Sequence, residues 1–254
     1  MAVGLRPEIT PVGVPERRSS YTGPEPRRAR SNLGTRTLPH RSALDGLRGL
    51  AVAAVVLYHL EPDLLPGGFL GVSLFFTLSG FLITNLLLAE WRRRGRIDLG
   101  AFWARRFRRL LPAALLTLLL VLAISFGSHD RHLLADLRGD VIGALAYVAN
   151  WRFILNGDPY GAGFETPSPV LHFWSLAIEE QFYVVVAVVA FLLARFARRI
   201  RTWAVVFGVG ALCSMAATMW LSRGSDTARI YFGSDTRAFE LLAGVLLAIV
   251  AGFA

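Results

Sequence analysis

From residue 44 onward the chain alternates long apolar runs with short polar breaks. The runs cover residues 44–60, 69–90, 110–126, 139–155, 172–194, 203–221 and 237–254. A helix needs about 20 apolar residues to cross the hydrocarbon core of a bilayer, and five of the runs meet or approach that length. The pattern predicts an all-α fold, a polytopic transmembrane helix bundle. The run 139–155 is the weakest, because Asp140, Asn150 and Arg152 interrupt it. The last run meets the chain terminus with no polar flank, so the pattern reads as a bundle truncated at its C-terminal side.

Charge orients these runs. Arg92, Arg93, Arg94 and Arg96 lie between the second and third runs with Arg105, Arg106, Arg108 and Arg109, and Arg195, Arg198, Arg199 and Arg201 follow the fifth. Basic loops stay on the cytoplasmic side. The pattern therefore predicts a multi-pass protein of the cell membrane with a cytoplasmic N-terminus. Strict counting puts the second arginine group outside if 139–155 spans. Charge and count agree if that run is re-entrant or packed at the outer surface, where irregular backbone is tolerated beside protein or a watery cavity. Residues 127–171 are then external.

Composition narrows the class further. The chain is 54% hydrophobic with a net charge of +9, and all 27 of its lysine-plus-arginine positions are arginine. The arginines bunch beside apolar runs rather than forming one basic face, so the partner they indicate is an anionic lipid bilayer and not nucleic acid. The lone Cys213 excludes an internal disulfide, and no zinc, phosphate-loop or dinucleotide signature is present, so no metal is expected. Residues 1–41, rich in proline and carrying eight arginines, read as a disordered cytoplasmic tail. The membrane domain then occupies 42–254.

Two constellations carry candidate chemistry. In the first run, LDGLRGLAVAAVVLYHL, Arg48 and His59 are 11 residues apart, close to three helical turns, and so share a face about 16 Å apart along the axis. Asp45 lies one turn before Arg48, placed to pair with it. Ionisable groups inside a membrane helix point to function, and imidazole exchanges protons near neutral pH. Snorkelling to water at the two helix ends is the other meaning of such residues.

The fifth run opens HFWSLAIEEQFY, with His172, Ser175, Glu179, Glu180 and Tyr183. His172, Glu179 and Tyr183 fall on one face. Two carboxylates here are costly unless paired or watered, which fits either activation of a hydroxyl or a structural network between helices. Arg237 and Glu240 are one turn apart and fit an intrahelical ion pair. The small residues of GGFLGVSLFFTLSGFLI fit close helix packing.

Taken in order, LDGLRGLAVAAVVLYH, GFLGVSLFFTLSGFLI, FWARRFRRLLPA, HFWSLAIEEQFY and DTRAFELLAGVLLA resemble the motifs of the acyltransferase-3 family, bacterial integral-membrane O-acyltransferases. The resemblance runs from about residue 43 to the end of the chain. It implies an enzyme that moves an acyl group, most commonly acetyl, from acyl-coenzyme A on the cytoplasmic side to a hydroxyl of a surface carbohydrate on the outer side. It implies that Arg48 and His59 are the essential intramembrane pair, with His59 the base or proton relay. It places Arg105, Arg106, Arg108 and Arg109 at the coenzyme A entrance, with Glu179, Glu180 and Arg237 supporting the site. Ser73 stands where the family usually has an acidic residue. A transporter or channel lined by Arg48, His59 and the glutamates is the competing reading, and a non-catalytic membrane scaffold a third.

Overall fold

The computed structural model describes residues 42–127, 131–157, 168–197, 199–224 and 226–252, and the expected tail over 1–41 lies outside the described residues. The described residues form helices and no strands: α1 (Ser42–Leu60), α2 (Leu70–Arg94), α3 (Leu99–Gly127), α4 (Arg131–Leu145), α5 (Ala149–Asn156), α6 (Phe173–Phe196), α7 (Ile200–Leu221), α8 (Thr227–Phe232) and α9 (Ser234–Ala251). Five of them, α1, α2, α3, α6 and α7, are long and apolar enough to cross a bilayer. The protein is a polytopic helical membrane bundle.

The helices follow the apolar runs, with three instructive differences. First, α3 begins at Leu99 rather than near residue 110, so the arginine-rich segment is its opening turns. The helix also runs through Pro112, a position where a soluble helix usually kinks or stops and a membrane helix more often continues. Second, the run 139–155 is not one helix. It breaks at Tyr147, whose φ is 55°, into α4 of 15 residues and α5 of 8. Neither piece reaches the length of a crossing. Third, the six-residue α8 precedes α9; its TARIYF is too short to show a helical period.

Arg92 Nη2 donates to the Gly252 carbonyl at 2.8 Å, and the Trp91 and Trp203 rings stack at 5.0 Å. The C-terminal ends of α2 and α9 and the start of α7 therefore meet at one end of the bundle, among Arg92, Arg93, Arg94, Arg199 and Arg201. At the opposite end, Ser214 and Thr218 near the end of α7 donate to the Asp235 and Thr236 carbonyls at the start of α9.

α2 and α9 form the centre, and their approach depends on glycine. A Cβ on Gly80 would overlap the Leu241 carbonyl, and one on Gly244 would overlap that of Thr77. Gly68 and Gly71 face the backbone of Ala54 and Ala51 on α1 in the same way. Small residues let backbones meet where lipid supplies no hydrophobic drive. The outward faces carry bare apolar side chains such as Leu116, Ile124, Val205 and Leu212, as a lipid-facing surface requires. Gly80→Ala is expected to destabilise the bundle by about 1–3 kcal/mol through overpacking, measured as a lower melting temperature in detergent. An unchanged melting temperature would mean that α2 and α9 are not this close.

Candidate active site

The apolar helices hold their polar side chains in two connected layers. In the first, α9 presents Glu240 to α2. Ser73 Oγ donates to Glu240 Oε1 at 3.0 Å, and Thr77 Oγ1 donates to the Glu240 carbonyl at 3.0 Å. Arg237 Nη1 donates to the same Oε1 at 2.5 Å, as expected for residues three apart on a helix. Its guanidinium also lies 4.5 Å from the Tyr231 ring centroid and 5.8 Å from that of Trp174. Ser73 and Arg237 thus meet the same carboxylate oxygen of Glu240.

The second layer joins α3 to α6. Arg106 Nε donates to Glu180 Oε1 at 2.8 Å, and its guanidinium carbon lies over the Tyr183 ring, 3.4 Å from the centroid. Arginine suits this place because its planar fork can pair with a carboxylate and stack on a ring at once. Glu179 projects about 100° away from Glu180 on the helix, within the electrostatic reach of Arg48 as well as Arg106. Arg48 itself rests 4.8 Å from the Phe75 ring. Glu179 is 5% exposed and faces the buried Ser79 hydroxyl, although its Oε1 and Ser79 Oγ fall short of ordinary hydrogen-bond geometry among the described residues. A carboxylate buried at this depth within the electrostatic reach of Arg106 and Arg48 is costly to keep and marks a candidate site.

The arginine segment does not act as one cluster. Arg105 Nη2 pairs with Glu90 Oε2 at 3.6 Å, and Arg94 pairs with the other oxygen of Glu90 at 3.4 Å. Arg106 turns inward, while Arg108 and Arg109 are exposed. Glu90, which carries no obvious motif, thus ties the end of α2 to the start of α3; it also accepts from the Asp98 amide at 3.3 Å, and Asp98 Oδ1 in turn accepts from the Ala101 amide.

The two imidazoles are not brought together among the described contacts. His59 is exposed at the end of α1, its Nδ1–H donating to the Val55 carbonyl at 2.8 Å and its ring edge-on to Tyr58 at 5.5 Å. His172 is exposed at the start of α6, tilted on Phe173 at 4.7 Å, and its carbonyl accepts from Ser175 Oγ at 3.3 Å. Asp45 is exposed in the first turn of α1.

Spacing alone did not single out Tyr147, Trp151, Gln181 and Ser234, which with Asn150 tie α5 to α6 and α9. Tyr147 and Trp151 lie in the polar-interrupted run 139–155, while Gln181 and Ser234 carry no signal of that kind.

Comparison with known proteins agrees with this arrangement of motifs. Residues 41–251 match the model of the acyltransferase-3 family, described as an acyltransferase domain. The peptidoglycan O-acetyltransferase OatA of Listeria monocytogenes is 44% identical over 209 residues, 82% of this chain and 33% of that protein. The putative peptidoglycan O-acetyltransferase YrhL of Bacillus subtilis is 44% identical over 223 residues, 85% of this chain and 34% of the other. The O-acetyltransferase OatA of Staphylococcus aureus is 43% identical over 210 residues, covering 82% and 34%. The chain thus spans about a third of the length of these curated relatives. No solved structure matches it. The match over nearly the whole bundle, with relatives at this identity, establishes that the chain belongs to the acyltransferase-3 family of membrane acyltransferases.

Proposed function

We propose that this bundle carries out O-acetyl transfer to a hydroxyl of a cell-wall carbohydrate, drawing the acetyl group from acetyl-coenzyme A. The observation that carries the reading is the Arg106–Glu180 pair, closed at 2.8 Å between α3 and α6, with the adjoining Glu179 buried within the electrostatic reach of Arg48. Ionisable residues inside a membrane bundle are retained at a cost and mark the path of a substrate or proton. The names of the relatives supply the reaction class, since all three are O-acetyltransferases, two of them of peptidoglycan.

In this reading the arginine-rich end faces the cytoplasm by the positive-inside rule, which puts His59 and His172 at the outer end. Arg108 and Arg109, exposed and without an acidic partner among the described residues, are the guanidiniums left to hold the phosphates of the donor. The acceptor hydroxyl loses its proton to His59 as its oxygen attacks the thioester carbonyl. The carbon–sulfur bond breaks, and coenzyme A leaves as the thiol after taking up a proton. Arg106 and Arg48 supply positive charge where the acyl group crosses the bundle.

Membranes carrying the full protein, given acetyl-coenzyme A labelled in the acetyl group, are expected to place alkali-labile label on cell-wall glycan. Label that stays with the donor, with peptidoglycan present, would favour the transporter reading. Arg108→Ala combined with Arg109→Ala is expected to raise the KM for acetyl-coenzyme A about tenfold or more, given roughly 1.5–3 kcal/mol for hydrogen bonds to charged groups. An unchanged KM would remove these residues from donor binding.

A further inference from the structure

Glu240 and Arg237 anchor a polar cluster that the transfer reading above does not use. Glu240 is 8% exposed, and its two carboxylate oxygens are placed very differently. Oε1 accepts from Ser73 Oγ at 3.0 Å and from Arg237 Nη1 at 2.5 Å. Thr77 Oγ1 donates to the Glu240 carbonyl at 3.0 Å and fixes the residue from below. Oε2 is buried and has no hydrogen-bond partner among the described residues, a state that buried polar atoms rarely keep. Arg237 repeats the pattern. Its Nε donates to the Tyr231 carbonyl at 3.1 Å and its Nη1 to Glu240. The Tyr231 and Trp174 ring centroids lie 4.5 and 5.8 Å from its guanidinium carbon. Its Nη2 makes no hydrogen bond to a described residue.

A firmly held guanidinium with a donor to spare thus stands beside a firmly held carboxylate with an acceptor to spare. The group that answers both at once is a hydroxyl, which accepts through its lone pairs and donates its hydrogen. An anionic group would meet the Glu240 charge, and a cationic one that of Arg237. A carbohydrate carries such hydroxyls around an apolar C–H face, and an aromatic wall with a few fixed polar groups is the usual make-up of a small-ligand site. Tyr231 supplies that wall; like Arg237 and Ser73 it is only partly buried, so the cluster can be reached. Trp174 and Arg237 lie in the opening turns of α6 and α9, at the end of the bundle away from the arginines, where the transfer reading brings in the glycan. We propose that Arg237 Nη2 and Glu240 Oε2 form a subsite for a non-reacting hydroxyl of the carbohydrate acceptor. This rests on the transfer reading above.

The test uses the full chain in membranes and separates the two substrates. Initial rates are taken against a soluble oligosaccharide fragment of cell-wall glycan, and then against acetyl-coenzyme A. Glu240→Gln keeps an amide oxygen for Ser73 and Arg237 but puts an N–H donor where Oε2 accepts. Its KM for the glycan fragment is expected to rise about tenfold or more, the loss of one hydrogen bond to a charged group, with the KM for acetyl-coenzyme A unchanged. Tyr231→Leu keeps the backbone carbonyl that holds Arg237 and removes the ring. It is expected to raise the KM for the glycan fragment alone, and it decides the matter if Glu240→Gln fails to accumulate in membranes. A wild-type KM for the glycan fragment in the folded variants, or a rise in both KM values together, overturns the subsite and leaves the transfer reading standing. A wild-type protein that transfers nothing overturns both.

Discussion

Arg106→Ala is expected to lower both the stability of the bundle and its transfer rate. The substitution leaves Glu180, 4% exposed, without the guanidinium that meets it at 2.8 Å. Stranding one partner of a buried ion pair costs about 3–5 kcal/mol. The Tyr183 face, covered by the same guanidinium at 3.4 Å, loses its cation as well. Transfer should fall roughly 100-fold or more, the scale of losing one preorganised donor at a site of developing charge. Arg106→Lys restores the charge but not the planar fork, and should recover part of the stability and little of the rate. Melting temperatures and initial rates on the same membranes check both effects. An Arg106→Ala protein that melts and transfers like wild type would remove this pair from the account.

His59→Ala is expected to act the other way, on rate without fold. The imidazole is exposed and, among the described residues, bonded within its own helix to the Val55 carbonyl. Its removal therefore leaves no buried group stranded, and insertion and melting should be unchanged. If His59 takes the acceptor proton, transfer falls roughly 100- to 10,000-fold, the range of general-base catalysis. Retained acetylation in this variant would assign the proton to another group. Glu179, buried against the Ser79 hydroxyl, would then be the next to substitute.

Much of the bundle can be read from apolar periodicity alone, because a bilayer imposes span length more rigidly than water does. The pattern also locates the weak run, since Asp140, Asn150 and Arg152 stand where a crossing would bury them unpaired. The structure uses all three as connections: Arg152 Nε donates to Asp140 Oδ1 at 2.6 Å, and Asn150 Oδ1 accepts from Gln181 Nε2 on α6 at 2.9 Å. The pairings across the bundle were not legible. Arg105, Arg106, Arg108 and Arg109 look like one basic patch in sequence, yet successive residues turn by about 100° on a helix. One meets Glu90, the next meets Glu180, and the last two face outward. Spacing along one helix identifies which residues share its face but not which neighbouring helix that face meets. Arg237 and Glu240 show the contrast, since their contact lies within one helix and their spacing predicts it.

The most direct test of the central claim, that the buried pair between α3 and α6 belongs to the transfer site and not only to the scaffold, is the double variant Arg106→Gln with Glu180→Gln. Removing both charges leaves neither stranded, so melting should return close to wild type even where each single variant is destabilised. Acetyl transfer from labelled acetyl-coenzyme A to cell-wall glycan should nevertheless remain roughly 100-fold or more below wild type. Transfer that returns together with the fold would contradict the account and make the pair a structural one.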